Sequence, residues 1–398
     1  MSGLAQTKPL GVYVSVPFCR AKCSFCNFAS GVSTADRVSE YLRKLCPEID
    51  GVGAKAASLG AELPRRVDTV YFGGGTPSLL EPEQMREVFE ALRRQFAVDQ
   101  ESEITLEAAP GQIADDVLEE AMRLGVNRIS LGVQSFVGQE SAAVGRTHTG
   151  ESCLHEIARI RKRGVKEVGA DLIVGLPYQT RESWRMSLEA ACDSTLTHLS
   201  VYLLEIDEGS RLGREVLGGG ARLHAPAVAS EELASQLYED ACKFLEANGF
   251  VQYEISNFAR GAEHQSRHNR KYWERAPYLG FGLDAHSMLL RSDGTAVRFA
   301  NADELEEYDA CAGHEISEVG EREAFEESVF LGLRLNDGLS VESLRERFPS
   351  TWVRDCEERV RSLARDGLML VEDRRWKLTT SGRLVSSEIF GELLAVVA

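Results

Sequence analysis

The chain has 398 residues, of which 43% are apolar and 27% charged; this is the composition of a folded protein of two or three domains and excludes disordered, collagen-like and coiled-coil classes. Its 45 basic and 62 acidic side chains leave a formal charge of −17, which opposes attraction to nucleic acid or anionic lipid, so no nucleic acid partner is expected. No run approaches the roughly eighteen apolar residues of a membrane span, and the opening MSGLAQTKPLGVYVSV lacks a basic segment leading into a long apolar one, so a cytoplasmic protein is expected.

Short apolar, β-branched runs at 10–16, 67–72, 103–108, 128–134, 167–175 and 198–204 predict six strands. Amphipathic segments at 34–55, 82–96, 114–124, 151–163 and 181–192 fill the five intervals, with Pro82 at a first-turn position and Gly125 and Gly164 where helices stop. Six β/α repeats imply a parallel sheet, either an open doubly wound sheet or a partial barrel, and in both the chemistry gathers at the carboxyl ends of the strands. The unusual residues fall there. Cys19, Cys23 and Cys26 follow strand one, Gly73 to Pro77 (GGGTP) follow strand two, Glu107 and Gln134 end strands three and four, and Asp171 lies on strand five.

Beyond strand six, the Gly- and Ala-rich stretch 208–229 reads as a mobile connection. A helix at 230–248, a strand at 251–256, a polar and aromatic stretch at 264–273 and a Gly-rich turn within 278–289 follow. From about residue 315 the order is three helices, a hairpin (368–371 and 375–378) and a last helix from about residue 380, which resembles a winged helix. Its 12 basic and 17 acidic residues favour a packing unit over a nucleic acid reader.

Nine cysteines are present. Cys46, Cys153, Cys192, Cys242, Cys311 and Cys356 lie far apart and read as buried small hydrophobes. Cys19, Cys23 and Cys26 fall within PFCRAKCSFCNF. Three thiolates leave one position of a tetrahedral zinc site, or one iron of a 4Fe-4S cubane, open to a small molecule. No histidine lies between Tyr13 and Asp50 to close a structural zinc site, but the intervals alone do not decide.

The pattern C-x3-C-x2-C, with Phe25 before the last cysteine and GGGTP one β/α unit later, resembles the radical S-adenosylmethionine (SAM) superfamily. In that superfamily SAM chelates the unique iron of a 4Fe-4S cluster, and an electron from the cluster cleaves its sulfonium to methionine and a deoxyadenosyl radical. YVSVPFCRAKCSFCNF, VYFGGGTPSLL, LEAAP, RISLGVQSF, GRTHT, DLIVGLP, HNRKYW, GFGLDAHS and LTTSGRLVSSEIF extend the likeness along essentially the whole chain to the coproporphyrinogen dehydrogenase branch, HemN and its relatives, and within it to the haem-chaperone group.

Two departures separate the chain from the oxidase: Phe28 stands where the oxidase pattern carries a further cysteine, and the cluster begins only nineteen residues in, without the oxidase's longer leading segment. The resemblance therefore implies a partial (β/α)6 radical-SAM barrel over 1–205, a connecting region over 206–314 carrying an HNxxYW motif, and a mainly helical, winged-helix-like domain over 315–398. Cys19, Cys23 and Cys26 would hold the cluster. Tyr13, Phe25, Gly74, Gly75, Thr76, Glu107, Gln134, Arg146 and Asp171 would contact one or two SAM molecules. His268, Asn269, Tyr272 and Trp273 would form a haem face, with His268 as iron ligand and His264 and His286 behind it. Haem is the implied cargo and haem-requiring respiratory proteins, some at the membrane, its recipients; a homodimer is left open. The enzymatic alternative is oxygen-independent coproporphyrinogen III dehydrogenase.

Overall fold

The computed structural model describes residues 8–32, 34–310 and 315–395. The six expected strands form as β1 (Leu10–Val16), β2 (Arg66–Gly74), β3 (Ala97–Ala108), β4 (Arg128–Gln134), β5 (Glu167–Val174) and β6 (His198–Leu203). They pair in parallel and in chain order, which brings their carboxyl ends to one rim. Between them run α1 (Ala35–Ser58), α2 (Pro82–Gln95), α3 (Asp115–Leu124), α4 (Gly138–Ala143), α5 (Gly150–Lys162) and α6 (Arg181–Asp193). Local signals set their ends. Thr34, Thr149 and Thr180 accept backbone N–H bonds as N-caps of α1, α5 and α6, and Gly125 ends α3 at φ 109°, a conformation that costs glycine little.

The strands have two unlike faces. Outward-facing Val70, Phe72, Ile104, Leu106, Ile129, Leu131, Val168, Ala170, Leu199 and Val201 are buried in the main core, as where Phe72 stacks on Phe89 of α2 with ring centroids 5.0 Å apart. The alternate positions, Tyr71, Thr105, Glu107, Ser130, Gly132, Asp171, Ser200 and Tyr202, line an open lumen. A closed barrel fills that space with Val, Ile and Leu; here small and polar residues leave it empty, and the fold is a partial (β/α)6 barrel.

Strands that follow residue 250 widen the sheet on both edges. β7 (Val251–Gln252) and β8 (Asn257–Ala259) lie beside β6; β9 (Tyr278–Phe281) pairs in parallel with β1, and β10 (His286–Leu290), β11 (Ala296–Ala300) and β12 (Glu315–Val319) continue as an antiparallel meander. The Gly-rich segment expected as a turn is thus two strands joined over residues 282–285, and the strand expected over 251–256 shortens to Val251–Gln252, with Glu254 bridging to Leu335.

The stretch expected to be a mobile connection is folded. Ser210 caps α7 (Arg211–Leu217), a 3-10 turn follows at Arg222–Ala227, and Leu212 and Ala225 bury against Val144, Ile173 and Leu176. Of the glycines, Gly213 is buried within α7 and the run Gly218–Gly220 follows it.

After α8 (Glu231–Ala247) and α9 (Arg267–Trp273), the C-terminal unit contains α10 (Glu321–Gly332), α11 (Val341–Arg347), α12 (Ser350–Arg365), the hairpin β13 (Met369–Glu372) and β14 (Arg375–Leu378), and α13 (Thr380–Leu384) and α14 (Ser386–Ala395). Phe325, Val360, Trp376 and Leu393 centre a second core. Glu327 of α10 pairs with Arg275 at 2.6 Å and Arg298 at 3.1 Å, which ties this unit to the sheet. Among the isolated cysteines Cys46, Cys153, Cys242 and Cys356 are buried and Cys192 is half-buried; Cys311 lies outside the described residues. Among the described residues no helix is long and apolar enough to cross a membrane.

Candidate functional site

β1 delivers the chain to the rim, where the cysteine loop begins. Phe18–Cys19 pairs in parallel with Gly31–Val32, closing the loop at its base. Its far side is held by distant segments: the Ser24 N–H donates to Val144 O (3.2 Å), Leu212 N–H to Ser24 O (2.8 Å), Arg211 to Lys22 O (2.6 Å) and Asn27 to Asp207 (3.0 Å). Cys19 and Cys26 are half-buried and Cys23 is buried. Burial pushes the Cys19 and Cys23 thiols up; the Thr76 hydroxyl, donating to Cys19 Sγ at 3.6 Å, and the charge of Arg146 act the other way. Among the described residues no three His, Cys, Asp or Glu side chains converge on the position of one metal ion.

The GGGTP turn passes directly behind this loop. Gly74 has φ +94°, and a Cβ on Gly75 would stand 2.7 Å from the Phe18 N and O atoms. These glycines are required by the protein's own backbone packing as well as by any ligand.

Below the loop a cavity of about 1290 Å³ runs down the lumen, larger than the roughly 300–1,000 Å³ of a pocket for one small molecule. Cys19, Cys23, Cys26, Phe25, Gly74, Gly75, Thr76, Glu107, Gln134, Arg146 and Asp171 all line it. Tyr13 is placed elsewhere: it stacks on Tyr71 with centroids 6.0 Å apart, behind the cavity wall.

At the rim and along the lumen wall, the buried atoms Arg146 Nε, Gln112 Oε1 and Thr105 Oγ1 face the cavity without a hydrogen-bond partner. Burial raises the Glu107 carboxyl to about 7, although the Tyr71 hydroxyl donates to it at 2.7 Å. Burial raises Asp171 too, against hydrogen bonds from Ser200 and Ser130 and the charge of Arg146. Three thiols on one loop, an unpartnered guanidinium and two buried carboxyls suit a thiolate-bound cluster and a zwitterionic ligand carrying amino, carboxylate and hydroxyl groups.

The HNRKYW segment closes the opposite end. α9 lies across the amino-terminal ends of the strands, and the Glu103 carboxylate accepts from the backbone N–H groups of Arg267 (3.0 Å) and His268 (2.9 Å) at the start of that helix. His268 is 1% exposed. Its Nδ1 meets Thr69 Oγ1 and its Nε2 the Tyr272 hydroxyl, each at 2.9 Å, and burial lowers its pKa to about 3. In this conformation it has no free nitrogen for an iron, and the expected haem face is a packed floor. Tyr272 abuts Tyr278 at 4.7 Å and Trp273 lies under the Arg334 guanidinium at 4.4 Å. Of that group only Asn269 lines the cavity. His264 bonds Glu167 at 2.8 Å, while exposed His286 pairs with Asp284 at 3.7 Å.

Thr105, Ser130, Ser200 and Tyr202 were not among the sequence-derived candidates, yet they form the lumen wall. The signal was in the sequence as strict alternation of these residues with Val, Ile and Leu.

Residues 13–191 match the model of the Radical SAM superfamily and residues 320–385 that of the HemN C-terminal domain. Fold and site together define a radical SAM protein. The solved structure of coproporphyrinogen III oxidase (HemN) from Escherichia coli superposes with a TM-score of 0.80 at 25% identity, over 98% of this chain and 90% of that one. Heme chaperone HemW of Bacillus subtilis is 32% identical over 96% of this chain and 98% of its own, and the Lactococcus lactis protein of the same name 30% identical over 97% and 98%. The chain belongs to this HemW family of radical SAM proteins. A mitochondrial radical SAM domain-containing protein 1 from Bos taurus is also similar, 32% identical over 96% of this chain and 87% of its own.

Proposed function

We propose that the chain is a cytoplasmic haem chaperone that receives haem and passes it to haem-requiring respiratory proteins. Cys19, Cys23 and Cys26 would hold a 4Fe-4S cluster, which supplies one-electron reduction of SAM when both are bound. Arg146 would fork onto the SAM carboxylate, and Glu107, Gln134 and Asp171 would meet its amino and ribose groups, with Gly74, Gly75 and Thr76 beside its methionyl end. The observation that carries the chaperone over the dehydrogenase is Phe28. It is 65% exposed at the cavity, an inert ring where the oxidase pattern has a thiol. The likeness to the HemN structure is what favours the second reading, oxidative decarboxylation of coproporphyrinogen III.

One preparation tests both. Purified anaerobically and reconstituted with iron and sulfide, the protein should bind haem and leave coproporphyrinogen III unconsumed in the presence of SAM and a reductant. Sustained turnover to protoporphyrinogen would move the assignment to the dehydrogenase.

A further inference from the structure

The cavity extends sideways out of the lumen, past β6, to the C-terminal unit. There Arg334, just after α10, and Arg383 of α13 line it. Both lie close enough to Tyr238 of α8 to interact with it electrostatically. The Nε atom of each is buried without a hydrogen-bond partner. Arg383 otherwise donates only to neutral acceptors, Asn336 Oδ1 (3.4 Å), Leu378 O (3.3 Å) and Thr380 Oγ1 (3.0 Å). Arg334 rests over the Trp273 ring. Among the described residues neither forms a salt bridge with a carboxylate, although the buried Glu254 acts on Arg334 electrostatically; the hydrogen-bond partners of Arg383 include no carboxylate.

A half-buried guanidinium whose Nε has no hydrogen-bond partner retains capacity for an anion, and its planar fork matches a carboxylate. The same cavity presents large apolar side chains to solvent, Tyr202 and Leu203 at 42% exposure each. A ligand that satisfies both features is a flat apolar body with carboxylates along one edge. We propose that Arg334 and Arg383 hold the two propionate carboxylates of the tetrapyrrole cargo, so that the macrocycle lies in the open side of the cavity against Tyr202 and Leu203, away from His268. This rests on the haem-carrying reading above and adds where, and by which groups, the cargo is held.

The test is titration of the full-length, cluster-reconstituted protein with ferric haem and with haem dimethyl ester, whose carboxylates are blocked, in one detergent buffer and followed at the Soret band. Haem should bind the parent at least tenfold more tightly than the ester does. Arg334→Gln and Arg383→Gln should each weaken haem about tenfold, the scale of a lost charge-assisted bond, and leave the ester unchanged. Equal affinity of the parent for haem and ester overturns the proposal without recourse to any variant, and so does parental haem affinity in the double variant. If the parent binds neither ligand, the haem-carrying reading falls and takes this one with it.

Discussion

At the floor of the lumen Thr69, Glu103, Arg128 and His268 all have partners: Arg128 lies 3.9 Å from both Glu103 and Glu167 and donates to His264 O, and Glu103 caps α9. At the rim and along the wall, Arg146 Nε, Gln112 Oε1 and Thr105 Oγ1 have none. Both regions are polar and largely removed from water. The difference is that these four floor residues commit their polar groups to their neighbours, as a structural element does, while the rim residues leave theirs directed at a space. Polarity in a barrel interior is therefore not by itself the mark of a binding site; unmet hydrogen-bonding capacity that faces a cavity says more.

Changing the rim should abolish chemistry and spare the fold. Replacing Cys19, Cys23 and Cys26 together by Ala should remove the bound iron and the visible iron–sulfur absorption completely, with the far-ultraviolet circular dichroism unaltered. Iron content equal to the parent's would place the cluster elsewhere.

Changing the floor should do the reverse. Glu103→Ala leaves Arg128 without its nearest carboxylate on β3 and uncaps α9, so urea unfolding should show a loss of about 3–5 kcal/mol, the range for breaking a buried charge pair. A loss below about 1 kcal/mol would mean that α9 does not depend on this carboxylate.

Glu107 lies between the two regimes, and pH reads it. Its folded pKa of about 7 stands above the ordinary 4.5, so the folded chain holds a proton that the unfolded chain releases between those values. Its stabilising contribution is full below pH 4.5 and is lost as pH rises through 7, in total about 3 kcal/mol at 1.36 kcal/mol per pKa unit. In cofactor-free protein Glu107→Gln should flatten that part of the stability profile; an identical slope in parent and variant would show that the carboxyl is ionised throughout.

The smallest effect separates structure from ligation at His268. His268→Ala should cost about 2 kcal/mol through the unpaired Thr69 and Tyr272 hydroxyls and leave the Soret maximum of bound haem where the parent has it. A displaced maximum would restore His268 as the iron ligand that the sequence suggested.

The architecture was legible because period and position suffice for it. Residues 10–16 and 128–134 form strands over those very spans, and the cysteine loop, Gly74, Glu107, Gln134 and Asp171 meet at one rim because parallel strands leave them no other arrangement. What escaped depends on contacts between distant residues. Nothing near HNRKYW tells that its histidine is enclosed by Thr69, or its helix capped by Glu103, about 200 and 165 residues away. The stretch 208–229 was misjudged on its glycines, although Ser210 and Leu212 already carried a helix start.

The bonds from Ser24, Lys22 and Asn27 to Leu212, Arg211 and Asp207 also fix an order of events during synthesis. Cys19, Cys23 and Cys26 are made well before residue 212, and the cradle that shapes their loop is incomplete until that residue has followed them and packed. On the cluster-holding role proposed above, iron and sulfide are then loaded after this cradle has packed, onto a barrel that has already formed.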